Sequence, residues 1–177
     1  FYPRPKLVKE KKLEVLIASD SNWEVKGTDI AVKALSRVKD IVNVSIINYG
    51  KDFDKTLELA RSLGLSMNVL RKAPHKDLRE YYWNADVVID RFKLGSLGMV
   101  SLEAIACGRP VITYVSSRFR EYKEFPIKDV NNVKAITEAL NKITIKTWKA
   151  EHNYVKKHHN PEFIAEKVND VYEELIT

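Results

Sequence analysis

Residues 85–115 read ADVVIDRFKLGSLGMVSLEAIACGRPVITYV, a stretch in which apolar runs alternate with glycine-bearing turns. The pattern predicts a strand, a loop with two glycines, an apolar helix that ends at Gly108, and a second strand. Both predicted strands are apolar on both faces, as expected of parallel strands covered by helices. The stretch therefore predicts one βαβ unit.

The predicted helix carries a single ionisable side chain, Glu103, among apolar and small residues. A carboxylate on so apolar a helix is unfavourable unless a partner or a ligand meets it. Helical side chains tilt toward the N-terminus, so we expect the Glu103 carboxylate to point back toward the preceding loop. There it could accept hydrogen bonds from vicinal hydroxyls, as on a ribose. The alternative is that it complements the helix dipole or pairs with an arginine.

The composition is that of a globular chain with a basic excess. The 177 residues are 45% hydrophobic, enough to bury a real core. Lys and Arg number 30 against 24 Asp and Glu, a net charge of +6. This excess suits anionic partners such as nucleotides, lipid phosphates or nucleic acid, and equally fits a solvated lysine-rich surface. The one cysteine, Cys107, excludes a disulfide framework and a cysteine-based metal site. No apolar run approaches membrane-span length.

Strand and helix patterns alternate along the chain. The strands are predicted at 13–18, 41–48 and 67–70, at both ends of the 85–115 unit, and as an edge strand at 125–127. The helices are predicted from Thr28 as a capping residue, from Phe53, from Pro74, after Gly98, as a turn at 118–122, at 130–143, at 146–158, and from Pro161 to the C-terminus. These elements predict an α/β fold, a doubly wound and mostly parallel sheet of about six strands with helices on both faces and a helical C-terminal end.

Two loops at the carboxyl ends of the predicted strands carry the chemistry, because ligands of such sheets bind there. Gly95 and Gly98 precede the apolar helix, whose free N–H groups and positive dipole end suit a phosphate, although glycines before a helix are also ordinary turn chemistry. Lys26 lies beside Gly27 at the start of an earlier helix. It could reach the same phosphate or be an ordinary solvated lysine.

Other sites find little support in the sequence. The chain lacks the Gly-x-Gly-x-x-Gly and Gly-x4-Gly-Lys-Ser/Thr loops of dinucleotide-binding and ATPase folds. We interpret His75 as a helix-capping residue and His152, His158 and His159 as surface residues, since no ligand pattern surrounds them. We therefore expect no metal and no cofactor.

A family resemblance appears in residues 98–112, which fit Gly-x4-Glu-Ala-Ile-Ala-x-Gly-x-Pro-Val-Ile. This pattern resembles the signature of group 1 (family 4) retaining glycosyltransferases of the GT-B architecture, which has two Rossmann-like domains. Residues 26–28, 78–90 and 154–161 add support, so the resemblance covers nearly the whole chain. It implies that residues 13–177 are a single Rossmann-like donor-binding domain, the C-terminal half of the enzyme. Residues 1–12 would be a linker from a missing N-terminal domain.

The resemblance also implies roles for individual residues. Glu103 would hold the ribose hydroxyls of the sugar donor, and Lys26 would neutralise the diphosphate leaving group. The amides of Gly98 and Met99 would meet the distal phosphate. The remaining implied positions are Gly95, Ser96 and Leu97 on the sugar side, and Leu70 and Arg71 at the base.

Two positions depart from the family pattern. The first glutamate of its Glu-x7-Glu motif falls on Gly95, and the arginine usually found five residues before the lysine falls on Ser21. A subgroup with Asp-Gln-x3-Gly resembles residues 90–95 better, which makes the departure a subgroup trait. Our hypothesis is that Lys93 or Arg91 supplies the missing cation.

The resemblance predicts transfer of a sugar, of the hexosyltransferase type, from a nucleoside diphosphate sugar to an acceptor with retention and without a metal. It implies an N-terminal acceptor domain of the same protein and a lipid- or glycan-linked acceptor, but no nucleic acid. We expect a cytoplasmic location, with a peripheral position at the membrane face as a variant, and an inactive isolated domain. One alternative is a non-catalytic nucleotide- or glycan-sensing module with a degenerate donor site. The other is an unrelated doubly wound domain of the receiver or epimerase type.

Overall fold

The structure is a computed structural model that describes residues 1–4 and 12–176. Most of the linker predicted for residues 1–12 lies outside the described residues. Residues 1–4 run along the helical face of the domain, where the Trp83 indole N–H donates to the carbonyl of Tyr2 at 3.0 Å. The guanidinium of Arg109 donates to the carbonyl of Arg4 at 3.1 Å.

Five strands and seven helices alternate in the described residues. In chain order they are β1 (Leu13–Ile17), α1 (Thr28–Ser36), β2 (Val42–Ile47), α2 (Phe53–Ser62), β3 (Met67–Leu70), α3 (Leu78–Asn84), β4 (Val87–Ile89), α4 (Met99–Ala106), β5 (Val111–Ile112), α5 (Val133–Lys142), α6 (Ile145–His158) and α7 (Pro161–Ile176). Short 3₁₀ turns lie at His75–Asp77 and Arg120–Tyr122.

The sheet is wholly parallel, with strand order β3-β2-β1-β4-β5. The order reverses between β1 and β4, which makes the carboxyl ends of these two strands the topological switch point of the sheet. The predicted doubly wound α/β fold, with helices on both faces and a helical C-terminal end, is confirmed.

Side chains alternate between two buried cores, one on each face of the sheet. Val15 and Ile17 of β1 face the core that α1, α2 and α5 cover, whereas Leu16 faces the core of α3, α4 and α6. The same alternation separates Ile89 from Val88 in β4. Because both faces are covered, the strands are apolar on both sides, and the site is left to the loops at the sheet edge.

The predicted edge strand at 125–127 is wrong, so the described sheet has five strands rather than about six. The N–H groups of Val88 and Asp90 in and after β4 bond to the carbonyls of Pro110 and Ile112, which turns the N–H of Val111 outward. The carboxylate of Glu151 on α6 accepts that outward N–H at 3.0 Å. A side chain from α6 therefore occupies the edge position that another strand would need.

Two other predictions change in detail. The N-cap of α1 is Gly27 rather than Thr28, and the Thr28 hydroxyl accepts a hydrogen bond from the N–H of Asn22 at 3.2 Å. Helix α7 forms as its apolar stripe predicts, but the stripe remains exposed, from 37% at Phe163 to 77% at Leu175. None of the helices in residues 12–176 combines the length and apolarity that crossing a bilayer requires.

Candidate functional site

The loops that follow β1 and β4 meet at the switch point of the sheet. The N–H of Phe92 donates to the carbonyl of Lys26 at 2.7 Å. The hydroxyl of Ser19 donates to the carbonyl of Asp90 at 2.8 Å. These bonds join two loops that are far apart in sequence, and they bring Lys26 and the start of α4 to one edge of the sheet.

Lys26 lies in the first of these loops, directly before the left-handed Gly27, whose φ of +69° suits glycine. Its ammonium group is 3.5 Å from Oδ1 of Asp20, and both side chains are about one quarter exposed or less. Asp20 therefore holds the lysine at the carboxyl edge of β1 while the ammonium group remains accessible.

Gly98 is the N-cap of α4, and Met99 opens the helix with 67% of its surface exposed. The backbone of Gly98 is extended, with φ −103° and ψ 167°, so its conformation does not require glycine. The surrounding space does require glycine, because a Cβ on residue 98 would lie 1.8 Å from Nη2 of Arg91. The guanidinium of Arg91 thus lies against the first turn of α4.

Gly95 differs from Gly98 because both its conformation and its surroundings require glycine. Its φ is +70°, and a Cβ would meet Cβ of Ser116 at 3.0 Å and the Tyr114 ring at 3.1 Å. Its carbonyl accepts the N–H of Ser116 at 2.9 Å. A glutamate cannot occupy this position without strain, so the departure that the sequence shows is built into the backbone. Ser96 and Leu97 follow as half-buried residues.

Glu103 finds one partner on α3 and the other on the 3₁₀ turn that precedes it. Its Oε2 accepts the hydroxyl of Tyr82 at 2.8 Å, and its Oε1 is 2.7 Å from Nε2 of His75. The carboxylate is 8% exposed, whereas the His75 side chain is 68% exposed. The prediction that His75 caps a helix is wrong, because its ring bonds Glu103 and makes no cap.

Tyr82 is a fixed partner of this carboxylate. Burial and the charge of Glu103 raise the pKa of the Tyr82 phenol far above its ordinary value, so the hydroxyl stays protonated and donates. The buried guanidinium of Arg109 donates to the carbonyls of Tyr82 at 3.2 Å and Trp83 at 2.9 Å. It thereby closes the C-terminal end of α3 and holds the tyrosine in place.

The positions implied for the base lie at the end of β3. The carbonyl of Leu70 accepts the N–H of Asn48 at 2.8 Å, and the carbonyl of Arg71 accepts the hydroxyl of Tyr81 at 3.0 Å. Lys93 lies apart from these residues, exposed, with its Cγ 3.4 Å from a Cβ placed on Gly27.

No cluster of three or more His, Cys, Asp or Glu side chains that could hold a metal forms in residues 1–4 and 12–176. Well-formed clefts occur elsewhere. One of about 430 Å³ lies between residues 126–130 and α5, and one of about 300 Å³ lies between α3 and the β1, β2 and β3 strands. Neither is lined by Lys26, Gly98 or Glu103, so we locate the candidate site by its chemistry rather than by cleft size.

Sequence reasoning brought Lys26 and Gly98 to the same sheet edge but missed both partners of Glu103. His75 and Tyr82 lie 28 and 21 residues before it, on a different helical segment. No motif spacing relates them to the glutamate. The one available signal was the apolar character of α4, which required some partner for the carboxylate.

Comparison with known proteins identifies the family. A family model described as glycosyl transferases group 1 matches residues 2–160. The chain belongs to this family. It is 28% identical over 137 residues to the lipopolysaccharide glucosyltransferase WaaG of Escherichia coli K12. That match covers 76% of this chain and 35% of WaaG, so the chain spans about a third of this curated relative.

Solved structures share the fold. A glycosyltransferase from Rickettsia africae superposes with a TM-score of 0.72 at 16% identity, over 96% of this chain and 49% of that one. Anabaena HepE, solved with UDP-glucose, gives a TM-score of 0.72 at 18% identity, over 92% and 49%. The C-terminal domain of the group 1 family protein LpcC from Francisella tularensis gives 0.67 at 19% identity, over 85% and 88%. The fold is that of a C-terminal domain of this glycosyltransferase family.

Proposed function

We propose that the chain is the donor-binding half of a retaining glycosyltransferase that takes a nucleoside diphosphate sugar. The observation that supports the proposal is the joining of the β1 and β4 loops, because Lys26 lies in the first of these loops and the second leads into the start of α4. A lysine and a helix N-terminus at the switch point of a parallel sheet suit a diphosphate.

The chemistry of this site would be stabilisation of the leaving group. When the bond between sugar and diphosphate breaks, negative charge grows on the phosphate oxygens. Fixed positive groups aimed at that charge lower the barrier without a metal ion. Lys26 would supply a full charge, and the amides of Gly98 and Met99 would supply the dipole end of α4. The acceptor would come from another domain, so residues 1–177 alone are expected to bind nucleotide and to transfer little sugar.

Glu103 would hold the donor ribose. Tyr82 occupies Oε2 from the buried side, and the exposed His75 occupies Oε1. Each carboxylate oxygen accepts two hydrogen bonds, so both retain acceptor capacity for vicinal hydroxyls. Residues 70 and 71, at the end of β3, would lie on the base side, and residues 95–97 on the sugar side.

A thermal-unfolding series with UDP, GDP and ADP tests nucleotide binding. HepE was solved with UDP-glucose and with UDP and glucose, so UDP is the first choice. A nucleotide at about 100 times its Kd should add roughly 2.7 kcal/mol to the free energy of unfolding. The Lys26→Ala variant should lose most of this gain. The proposal is wrong if no nucleoside diphosphate stabilises the wild-type chain.

A second function is favoured by the geometry at Gly95, a non-catalytic module that senses a nucleotide or a glycan. The left-handed backbone at Gly95 and the contact with Ser116 leave no room for the glutamate that the family pattern places there. A module of this kind would bind nucleotide and leave the sugar bond intact.

Release of UDP from UDP-glucose separates the two functions. The measurement uses a polypeptide that joins this chain to its acceptor domain and compares it with the Lys26→Ala variant. A transferase releases UDP at a rate that falls in the variant. Nucleotide binding without release in either protein would support the sensing module.

A further inference from the structure

The guanidinium of Arg91 lies where the side chain of residue 98 would be. A Cβ on Gly98 would be 1.8 Å from Nη2 and 2.6 Å from Cζ of Arg91. Gly98 is the N-cap of α4, where amide N–H groups lack helical partners. The same Cβ would be 2.5 Å from Oδ2 of Asp90, so the first turn of this helix meets the Arg91 guanidinium together with the carboxylate that forms an ion pair with it.

One edge of the guanidinium faces the buried carboxylate of Asp90. Nε of Arg91 is 3.6 Å from Oδ2 of Asp90, whose side chain is completely buried and also accepts the hydroxyl of Ser101 at 2.7 Å. The backbone carbonyl of Arg91 accepts the N–H of Tyr114 at 2.7 Å and the hydroxyl of Thr113 at 3.1 Å. The backbone of the arginine is therefore fixed by hydrogen bonds, whereas its Nε side forms an ion pair with Asp90 without a hydrogen bond.

The other edge of the guanidinium is unused. In the part of the chain that the structure describes, neither Nη of Arg91 has a hydrogen-bond acceptor. The buried Nε of Arg91 and the buried Oδ1 of Asp90 also lack hydrogen-bond partners there. The side chain is only 16% exposed. The Asp90 carboxylate faces only the Nε side of the guanidinium, so the two Nη groups remain able to donate to an anionic ligand.

Ser21 cannot supply the arginine that the family pattern places at its position. It is completely buried, with its N–H bonded to the carbonyl of Tyr49 and its carbonyl to the N–H of Asp52. A Cβ on Gly50 would lie 2.3 Å from its nitrogen, so the β2–α2 loop closes directly over it. A cation for the diphosphate must come from elsewhere.

Lys93 is the other candidate that the sequence offers. Its side chain is exposed and runs beside Gly27, and it forms no ion pair within residues 12–176. Nothing in its surroundings fixes its ammonium group at the start of α4. Arg91 is already there.

We propose that Arg91 binds the distal phosphate of the sugar donor through its two Nη groups, opposite Lys26, and replaces the cation lost at Ser21. This inference rests on the proposed function and deepens it. A planar guanidinium binds two phosphate oxygens through two parallel N–H groups, a geometry that a lysine ammonium does not offer. The negative charge that grows on the leaving diphosphate would then meet two cations and the α4 amides.

Calorimetric titration of residues 1–177 with UDP, GDP and ADP, and with the matching monophosphates, tests the assignment. For the diphosphate that binds best, Arg91→Ala should weaken binding at least about tenfold, since a charged hydrogen-bond pair is lost. Arg91→Lys should lie between Arg91→Ala and wild type. Lys93→Ala is the matched control and should stay within about twofold. Monophosphate affinity should change little in any variant, because the distal phosphate is absent.

Gly98→Ala is a second variant that keeps the charge and displaces it. Its added Cβ must push away the guanidinium together with Oδ2 of Asp90, which would be 2.5 Å from it, so diphosphate affinity should fall as in Arg91→Ala while the backbone conformation remains allowed. Equal diphosphate affinity of wild type and Arg91→Ala, an equal loss for mono- and diphosphates, or a larger loss in Lys93→Ala would each overturn the assignment. Failure of wild type to bind any diphosphate would instead overturn the proposed function, and the role of Arg91 with it.

Discussion

Glu103 and Glu151 are buried glutamates on α4 and α6, two helices that pack on the same face of the sheet. The Glu103 carboxylate contacts two side chains, the hydroxyl of Tyr82 and the imidazole of the exposed His75. Glu151 is completely buried and accepts one backbone N–H, from Val111, while its Oε1 has no partner among the described residues.

The difference shows that burial alone does not reveal the role of a carboxylate. Burial raises the pKa of Glu151 well above its ordinary value, and only one hydrogen bond opposes this effect. A fully buried carboxyl group that caps a sheet edge is a structural element. A carboxylate with one fixed and one exposed partner can exchange the exposed partner for a ligand. Variants of the two glutamates and of their partners test whether this contrast holds.

The largest expected effect separates the two glutamates by ligand affinity. Glu103→Gln replaces one carboxylate oxygen with an amide that donates, so it can no longer accept both ribose hydroxyls. We expect nucleotide binding to weaken by up to about a hundredfold, or about 2.7 kcal/mol. Glu151→Gln makes the same chemical change far from the loops and should leave the affinity within about twofold. Calorimetry on both variants measures this, and equal losses would remove the contrast.

A smaller effect concerns the fixed partner of Glu103. Tyr82→Phe leaves Oε2 buried without its hydroxyl donor, which should lower the free energy of unfolding by about 1–3 kcal/mol. Tyr81→Phe is the matched control, because its hydroxyl donates to an exposed carbonyl at Arg71. We expect the control to lose about 0.5 kcal/mol or less. Urea unfolding gives both values, and similar losses would mean that Tyr82 does not hold the carboxylate.

The sequence predicted those features of the fold and the site that depend on neighbouring residues in the chain. The apolar residues around Glu103 showed that the carboxylate needs a partner, and the glycines before α4 located the loop. Alternating strands and helices predicted the parallel sheet, since periodicity and turn residues are local signals. The rule that ligands bind at the carboxyl edge then predicted that the loops after the strands carry the site.

The rest depended on contacts between segments that no spacing relates. Tyr82 and His75 reach Glu103 across α3 and α4, and the outward N–H of Val111 meets Glu151 from a helix 40 residues away. The contact between Glu151 and Val111 occupies the sheet edge that the predicted strand at 125–127 would need. The sequence of residues 125–127 does not indicate that α6 covers β5. Long-range side-chain packing decided both outcomes.

The pH dependence of stability provides a further test of Glu151. Its pKa is raised in the folded state above the ordinary value of 4.5, so the folded chain binds a proton that the unfolded chain releases. This contribution to stability is fully present below pH 4.5 and is lost as the pH rises through the folded pKa, by at most about 1.4 kcal/mol per pH unit. The free energy of unfolding of the wild type, measured with urea, should therefore fall relative to that of Glu151→Gln from pH 5 upward. Parallel pH curves for the two proteins would show that Glu151 is ionised when folded.

The smallest expected effect concerns the exposed partner of Glu103. The His75 side chain is 68% exposed, and exposed pairs contribute about 0.2–1 kcal/mol, so His75→Ala should lower the free energy of unfolding by less than about 1 kcal/mol. Nucleotide affinity should stay equal or increase slightly, because a ribose hydroxyl then meets an Oε1 that no imidazole occupies. Urea unfolding and calorimetry measure both quantities. If His75→Ala destabilises the chain as much as Tyr82→Phe, both partners are structural, and Glu103 resembles Glu151 rather than differing from it.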